Sequence, residues 1–121
     1  MTLGDFIALL EKQVENGAGR FPIRFDHGGY PVGFCSWRGR YEEVTIDWYP
    51  DTTPPTVDQV LQQAKATVGA VLNGYKGGDF KMYEGTPLWA DQHGRSQKDI
   101  PLSVEQIGDE VVIRTTNIWD Y

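Results

Sequence analysis

Residues 43–72, EVTIDWYPDTTPPTVDQVLQQAKATVGAVL, contain the two patterns that decide the fold class. From Glu43 to Tyr49, apolar and polar side chains alternate, which is the period of a half-buried strand. From Val57 to Leu72, after a proline-rich loop, apolar side chains recur at helical spacing. Thr56, with a glutamine three residues later, predicts the start of this helix, and Asn73-Gly74 predicts its end.

The segments on either side of this stretch add another helix and several short strands. A helix is predicted from Leu3 to about Val14, with Thr2 as its N-cap and Gly17 after its end. Further strands are predicted at residues 21–25, 31–36, 80–83, 87–90, 102–107 and 111–116. The sequence therefore predicts an α+β protein with two helices and a mainly antiparallel sheet of five or six short strands.

Length and charge limit the classes of function open to this chain. Its 121 residues suit one small domain, which we expect to span residues 1–121, and they leave open whether it is an enzyme or a ligand-binding domain. The chain has 11 Lys and Arg residues against 17 Asp and Glu residues, a net charge of −6. Proteins that bind duplex nucleic acid or anionic membrane surfaces depend on an excess of positive charge, so both classes are disfavoured.

Cysteine and histidine usage gives no sign of a metal or catalytic site. The single cysteine, Cys35, excludes an internal disulfide framework and a cysteine zinc site, and it suggests a cytoplasmic protein. No apolar run has the length of a membrane span, and the first residues lack the basic region of a signal peptide. His27 and His93 each lie near an aspartate in a polar loop, where histidines are more often surface residues than catalytic groups or metal ligands.

The first candidate binding motif is Ser36-Trp37-Arg38-Gly39-Arg40-Tyr41, a predicted turn between two strands. The planar guanidinium of Arg38 can bind a phosphate or a carboxylate and can stack on a ring. Gly39 allows a sharp turn and leaves room for a ligand. The alternative is a tight turn in which Arg38 pairs with a neighbouring glutamate and Trp37 caps the core.

The second candidate binding motif is Gly74-Tyr75-Lys76-Gly77-Gly78-Asp79-Phe80. Three glycines around a lysine allow backbone N–H groups to reach an anion, and the two aromatic rings are suited to stacking on a nucleobase. The spacing is not that of a phosphate-binding Walker loop. The alternative is that Gly74 caps the preceding helix, Gly77-Gly78 forms a hairpin or bulge, and Phe80 lies in the core.

Arg114 lies in the apolar strand predicted at residues 111–116, on the same face as Val112 by strict alternation. An arginine that faces inward usually has an anionic partner. The sequence leaves two kinds of partner open: an aspartate of the protein, Asp47 or Asp79, or a phosphate of a ligand.

Taken together, three motifs resemble a family of small phage and prophage proteins: Ser36-Trp37-Arg38-Gly39-x-Tyr41, Gly74-Tyr75-Lys76-Gly77-Gly78-Asp79-Phe80-x-Met82 and Thr86-Pro87-Leu88-Trp89. Over residues 2–116 the chain is similar to the Thoeris anti-defence proteins of the first type. This resemblance implies a sponge that binds glycocyclic ADP-ribose signals made by host TIR-domain enzymes and denies them to their effector. Some members also bind cyclic oligonucleotides at a separate site.

The resemblance also implies a homo-oligomer, either a dimer or an assembly of dimers, with pockets near the subunit interfaces. It implies neither a cofactor nor catalysis. A ligand of this class needs rings to stack on adenine, cations or N–H groups for the pyrophosphate, and polar groups for the ribose hydroxyls. The motif residues are assigned by resemblance and the others by chemistry. The candidate ligand-binding residues are Trp37, Arg38, Gly39, Tyr41, Tyr75, Lys76, Gly77, Gly78, Phe80, Asp91, Gln92, Arg95 and Arg114.

Two other functions remain open from the sequence. The first is a protein-binding inhibitor of another bacterial defence system, which would use acidic charge and exposed aromatic rings as its interface. The second is a small nucleotide-processing enzyme that uses His27 or His93 with an acidic neighbour.

Overall fold

The computed structural model describes residues 1–36, 43–73, 79–91 and 99–117. In these ranges the chain forms two helices and eight strands. In chain order they are α1 (Leu3–Glu15), β1 (Ile23–Phe25), β2 (Tyr30–Ser36), β3 (Val44–Tyr49), α2 (Val57–Thr67), β4 (Val71–Asn73), β5 (Asp79–Lys81), β6 (Leu88–Asp91), β7 (Asp99–Ile107) and β8 (Glu110–Asn117).

Six of the strands form one mixed sheet in the order β1-β8-β7-β6-β3-β2, and β4 pairs with β5 separately. Strands β2/β3, β6/β7 and β7/β8 are antiparallel, whereas β1/β8 and β3/β6 are parallel. The predicted α+β class is confirmed, with a mixed sheet that is antiparallel in three of its five pairings. A parallel pair needs a long crossover, and α2 with the β4/β5 pair supplies it between β3 and β6.

Helix α1 matches the sequence prediction closely. The Thr2 hydroxyl accepts a hydrogen bond from the Asp5 N–H, and the Asp5 carboxylate accepts one from the Thr2 N–H, which completes a capping box. Its apolar face is fully buried at Phe6 and Leu10. The ring of Phe6 lies 6.4 Å from that of Phe34 on β2, so α1 packs on one face of the sheet.

Helix α2 ends five residues earlier than the predicted end at Leu72. The last helical residue is Thr67, Val68 is extended, and Gly69 has φ +81°, a left-handed conformation that favours glycine. Beyond it, Val71 begins β4 and is 57% exposed, so it does not belong to the apolar stripe of the helix. The predicted helix end at Asn73-Gly74 is therefore wrong, and Asn73 is instead the last residue of a strand.

The predicted strands all occur within a few residues of their expected ends, although their lengths differ. The segment predicted at residues 102–107 is the nine-residue strand β7, which begins at Asp99 and contains a bulge between Pro101 and Ser103. Strand β4 was not predicted. None of the described helices has the length and apolar character needed to cross a membrane.

The six-stranded sheet is curled. In a flat sheet of six strands the two edge strands would lie about 24 Å apart. Here the edge strands β1 and β2 are joined by the turn 26–29, in which the Phe25 N–H donates to the Gly29 carbonyl at 2.8 Å. The Asp26 N–H also donates to the Ile113 carbonyl of β8 at 3.0 Å. The turn 26–29 therefore closes one end of the sheet over the core.

Candidate functional site

Both predicted binding motifs fall on connections between antiparallel strands. The first motif follows Ser36, the last residue of β2, and precedes Val44, the first residue of β3; these two residues are paired. The predicted positions Trp37, Arg38, Gly39 and Tyr41 lie outside the described residues. The flanking strands confirm the prediction that this motif connects two extended segments.

The second motif connects β4 and β5, whose last pairs are Leu72 with Phe80 and Asn73 with Asp79. Phe80 is therefore a residue of β5. The predicted residues Tyr75, Lys76, Gly77 and Gly78 lie outside the described residues. Since α2 ends at Thr67, Gly74 does not cap that helix.

The third group of predicted residues follows β6. Asp91 is the last residue of this strand and is the register partner of Asp47 on β3. Gln92 and Arg95 lie in the range 92–98, outside the described residues, and the chain resumes at Asp99, the first residue of β7. Asp99 is paired with Ala90, so the two ends of this connection lie side by side.

The connections that carry the predicted site residues do not all attach at the same end of the strands. Strands β3 and β6 run parallel, with Val44 beside Leu88 and Asp47 beside Asp91. The first motif ends where β3 begins, whereas the range 92–98 starts where β6 ends. At about 3.3 Å per residue, the two attachment points are separated by about 10 Å along the strands.

Arg114 is the one predicted site residue whose side chain is described, and it does not face inward. It is 47% exposed, and its Nε donates to Glu105 Oε2 at 2.9 Å. Its register partner is Ser103, just past the bulge in β7. The expectation of an inward arginine paired with Asp47 or Asp79 is therefore wrong. A surface pair within the β7/β8 hairpin takes its place.

The turn 26–29 carries a cluster of polar and aromatic side chains that the motifs did not indicate. The His27 ring is stacked on Phe25, with centroids 5.1 Å apart, and lies 4.3 Å from the Trp48 ring. The Gly29 N–H donates to His27 Nδ1 at 3.2 Å, and His27 Nε2 lies 4.0 Å from Asp99 Oδ2. The imidazole is thereby fixed between two rings and a carboxylate.

This geometry limits the acid–base chemistry of His27. A ring nitrogen that accepts a hydrogen bond carries no proton, so neutral His27 holds its proton on Nε2, towards Asp99. The lone pair of Nδ1 accepts the hydrogen bond from the Gly29 N–H, within the same turn. The pair can orient the turn and offer a polar edge to a ligand.

The partner of His27 differs from the one that the sequence suggested. The neighbouring Asp26 carboxylate accepts hydrogen bonds from the Thr115 N–H and hydroxyl, both at 2.9 Å, and so binds the turn to β8. Asp99 lies 72 positions from His27 and is mostly buried. No local pattern signals such a pair, because it arises only when β7 and the turn come together.

The described residues contain no group of three or more side chains arranged to hold a metal ion. Cys35 is half-buried on β2, beside Thr45 of β3. His93 lies in the range 92–98, outside the described residues. Comparison with protein-family models, curated proteins and solved structures finds no match to this chain.

Proposed function

We propose that this protein is a phage-encoded sponge that binds and sequesters a glycocyclic ADP-ribose immune signal without cleaving it. The sponge would act in the cytoplasm of the bacterial host, as a homo-oligomer, and without a cofactor. The proposal starts from the resemblance of its three motifs to the Thoeris anti-defence proteins of the first type. Cyclic oligonucleotides are a further ligand class that the same resemblance suggests.

The observation that carries the proposal is that each candidate binding motif joins two paired antiparallel strands. The first motif lies on the connection between the paired residues Ser36 and Val44, and the second lies on the connection between the paired residues Asn73 and Asp79. Connections between elements commonly carry the binding residues of a protein. An arginine, a lysine and several glycines at such positions are suited to binding the phosphates of a small anion.

Two further observations favour binding over catalysis. The net charge of −6 leaves few cations, and four of the 11 Lys and Arg residues are the candidate site residues Arg38, Lys76, Arg95 and Arg114. Nδ1 of His27 accepts a hydrogen bond from the Gly29 N–H, so in the most evident histidine–carboxylate pair this nitrogen is engaged within its own turn.

A depletion experiment tests the function. The protein is mixed with glycocyclic ADP-ribose and filtered, and the filtrate is analysed by chromatography before and after the retained protein is denatured by heat. A sponge depletes the free ligand and releases it unchanged on heating. New peaks would indicate an enzyme, and undepleted ligand would rule out sequestration of this signal.

Two substitutions test the proposed site. Arg38→Ala removes the arginine of the first motif, and Phe80→Ala removes a ring of the second motif. We expect each variant to deplete much less ligand while it keeps the circular dichroism spectrum of the wild type. Retained depletion in both variants would place the binding site elsewhere.

Matched controls separate loss of binding from general loss of charge or aromatic surface. Arg20 is an exposed arginine outside both motifs, and Tyr83 is 55% exposed just after β5. Arg20→Ala and Tyr83→Ala should therefore deplete the ligand as the wild type does. A loss of depletion in these controls would show that the assay reports net charge or surface hydrophobicity.

A second candidate function is inhibition of a host defence protein by direct binding. The exposed rings of Tyr49 (42%) and Tyr83 (55%) on an acidic surface favour it, since exposed aromatic side chains are common in interfaces. This function predicts no depletion of any cyclic nucleotide. It also predicts that Tyr49→Ala and Tyr83→Ala abolish protection of a phage while Arg38→Ala does not.

A further inference from the structure

Strands β2, β3 and β6 have one face that points away from α1. The ring of Phe34 on β2 lies 6.4 Å from that of Phe6 on α1, and its register partner Ile46 on β3 is fully buried. Successive side chains of a strand point to opposite faces of a sheet. The other face, which we call the outer face, therefore carries Gly33 and Cys35 of β2, Thr45 and Asp47 of β3, and Trp89 of β6.

Thr45 is the central residue of the outer face. Its register partners are Cys35 on one side and Trp89 on the other, and both of these residues are half-buried. Thr45 itself is 5% exposed, and its hydroxyl has no hydrogen-bond partner in the described part of the chain. Buried polar groups nearly always have such a partner. The Thr45 hydroxyl is therefore suited to bind a group from outside the chain.

Asp47 adds a carboxylate to the same face. It follows Thr45 by two residues on β3, which is about 6.6 Å along the strand. Asp47 is only partly buried, and its register partner on β2 is Gly33, which has no side chain. No atom of the described residues lies within 4 Å of a Cβ added at Gly33. Asp47 therefore borders space that the described residues leave open.

The outer face lies between two of the connections that carry predicted binding residues. Thr45 follows Val44, at which the connection with the first motif ends. Asp47 is the register partner of Asp91, after which the range 92–98 begins. Trp89 belongs to the third motif and lies beside Thr45. The outer face is thus the surface along which the two connections, attached about 10 Å apart, can hold one ligand.

We propose that the outer face of β2, β3 and β6 binds the ribose part of the nucleotide ligand. The Thr45 hydroxyl and the Asp47 carboxylate bind hydroxyl groups of the sugar, and the indole of Trp89 contacts the ring of the sugar or of the base. This assignment rests on the proposed function, because the ligand is the one that the motifs suggest.

The chemistry of these groups fits ribose hydroxyls rather than phosphates. A carboxylate accepts hydrogen bonds from hydroxyl groups, whereas it repels a phosphate. A threonine hydroxyl both donates and accepts, so Thr45 and Asp47 together can serve two neighbouring hydroxyls. The phosphates are then directed away from Asp47, towards Arg38 of the first motif. A ring with a few fixed polar groups is the usual composition of a small-molecule site.

The variant Thr45→Val tests the hydroxyl, because valine has a similar shape and lacks the oxygen. Loss of a buried hydroxyl that has no partner should leave the midpoint of urea unfolding equal to or above that of the wild type. The dissociation constant for glycocyclic ADP-ribose, measured by isothermal titration calorimetry, should rise about tenfold. If the wild type binds this ligand and the variant binds it equally well, the assignment of the outer face is overturned. A wild type that does not bind it overturns the proposed function, and this assignment with it.

The matched control is Thr67→Val. Thr67 is 6% exposed at the end of α2, and its hydroxyl donates to the Gln63 carbonyl at 2.8 Å. Loss of this hydrogen bond should lower the midpoint of urea unfolding and leave the dissociation constant unchanged. Equal weakening of ligand binding in Thr45→Val and Thr67→Val would overturn the assignment, because any buried threonine would then have the same effect.

Cys35 locates the ligand without a substitution. It is the single cysteine of the chain and lies beside Thr45 on the outer face. Saturating glycocyclic ADP-ribose should therefore slow the alkylation of this thiol by N-ethylmaleimide in the native protein. In Thr45→Val, the same protection should need about tenfold more ligand. An alkylation rate that saturating ligand leaves unchanged would place the ligand away from the outer face.

Discussion

At Gly29 the backbone passes so close to the indole of Trp48 that a side chain has no room. A Cβ atom added there would overlap Trp48 Cε3 and would lie 2.9 Å from His27 Cε1. Both neighbours are rings that are themselves packed against each other. Gly29→Ala must therefore displace the cluster that closes the sheet, and overpacking of this kind typically costs about 1–3 kcal/mol.

Urea unfolding followed by circular dichroism measures this cost. The control is Gly33→Ala, on the neighbouring strand β2, where an added Cβ meets no atom within 4 Å. We expect the midpoint for Gly29→Ala to fall well below that for Gly33→Ala. Equal midpoints would show that the rings of Trp48 and His27 move aside at little cost.

The Arg24–Glu110 pair predicts a dependence of stability on pH. Arg24 Nε and Nη2 donate to Glu110 Oε1 at 3.2 and 3.0 Å. These hydrogen bonds hold the pKa of Glu110 below its ordinary value of 4.5. A carboxylate whose pKa is lower in the folded state stabilises the protein above its unfolded pKa, and this contribution is lost as the pH falls through the folded pKa.

The variant Glu110→Gln should therefore melt below the wild type at neutral pH, and the difference should shrink as the pH falls below 4.5. Because both side chains are partly exposed, the difference at neutral pH should be small. Asp109→Asn, which removes a carboxylate from the same turn but not the hydrogen bonds to Arg24, is the control. A constant difference between Glu110→Gln and the wild type at all pH values would contradict the argument.

At the scale of single residues, local contacts could be predicted from the sequence, whereas the side-chain partners formed between strands could not. The capping box of Thr2 and Asp5 was predictable because both partners lie within one helical turn. The partners of Arg114 and His27 were not. Arg114 meets Glu105 diagonally across the β7/β8 hairpin, two residues from its register partner Ser103, and His27 meets Asp99 across 72 positions. Chemistry that depends on tertiary register leaves no local pattern.

Among the helices and strands, the end of α2 differs most from its sequence prediction. Periodicity predicted helix as far as Leu72, because Val68, Val71 and Leu72 continue the apolar spacing. Gly69 breaks the helix instead, and the residues after it form a strand that pairs with β5. Short apolar runs fit helix and strand alike, so the pairing partner decided between them.

The sign of the effect of Gly69→Ala distinguishes the two structures. If the helix continued through this position, alanine would stabilise the protein by about 0.5–1 kcal/mol. With φ at +81° and open space around Cβ, alanine is instead strained and should destabilise it by about 1–2 kcal/mol. Chemical unfolding of the two proteins measures the difference, and a stabilised variant would contradict the end of α2 at Thr67.

For the whole molecule, the sequence was sufficient for the class but not for the topology. Alternating and helical patterns specify which segments are strands and helices. They do not specify that β1 pairs in parallel with β8, or that β7 and β8 lie within the sheet rather than at its edge. The β1/β8 pairing joins segments that are more than 80 positions apart, such as Ile23 and Val111. The edge strands β1 and β2 meet at the turn 26–29.

This long-range pairing predicts that the helices and the sheet unfold as one unit. Ile113 of β8 is fully buried and has register partners on both sides, Phe25 of β1 and Val104 of β7. It belongs to the same buried cluster as Phe6 and Leu10 of α1. Ile113→Ala should cost about 2–5 kcal/mol, and Ile113→Val about 0.5–1.5 kcal/mol.

Unfolding of these variants is followed by far-ultraviolet circular dichroism, which reports on the helices, and by tryptophan fluorescence, which reports on Trp48 of β3 and other indoles. Because one core joins α1, β1, β7 and β8, both signals should change together in each variant, with the midpoint lowered and the denaturant dependence unchanged. A helix signal that survives after the fluorescence change would show that α1 and α2 hold together without the sheet. In that case the curled sheet would not be the framework on which the two motifs are held.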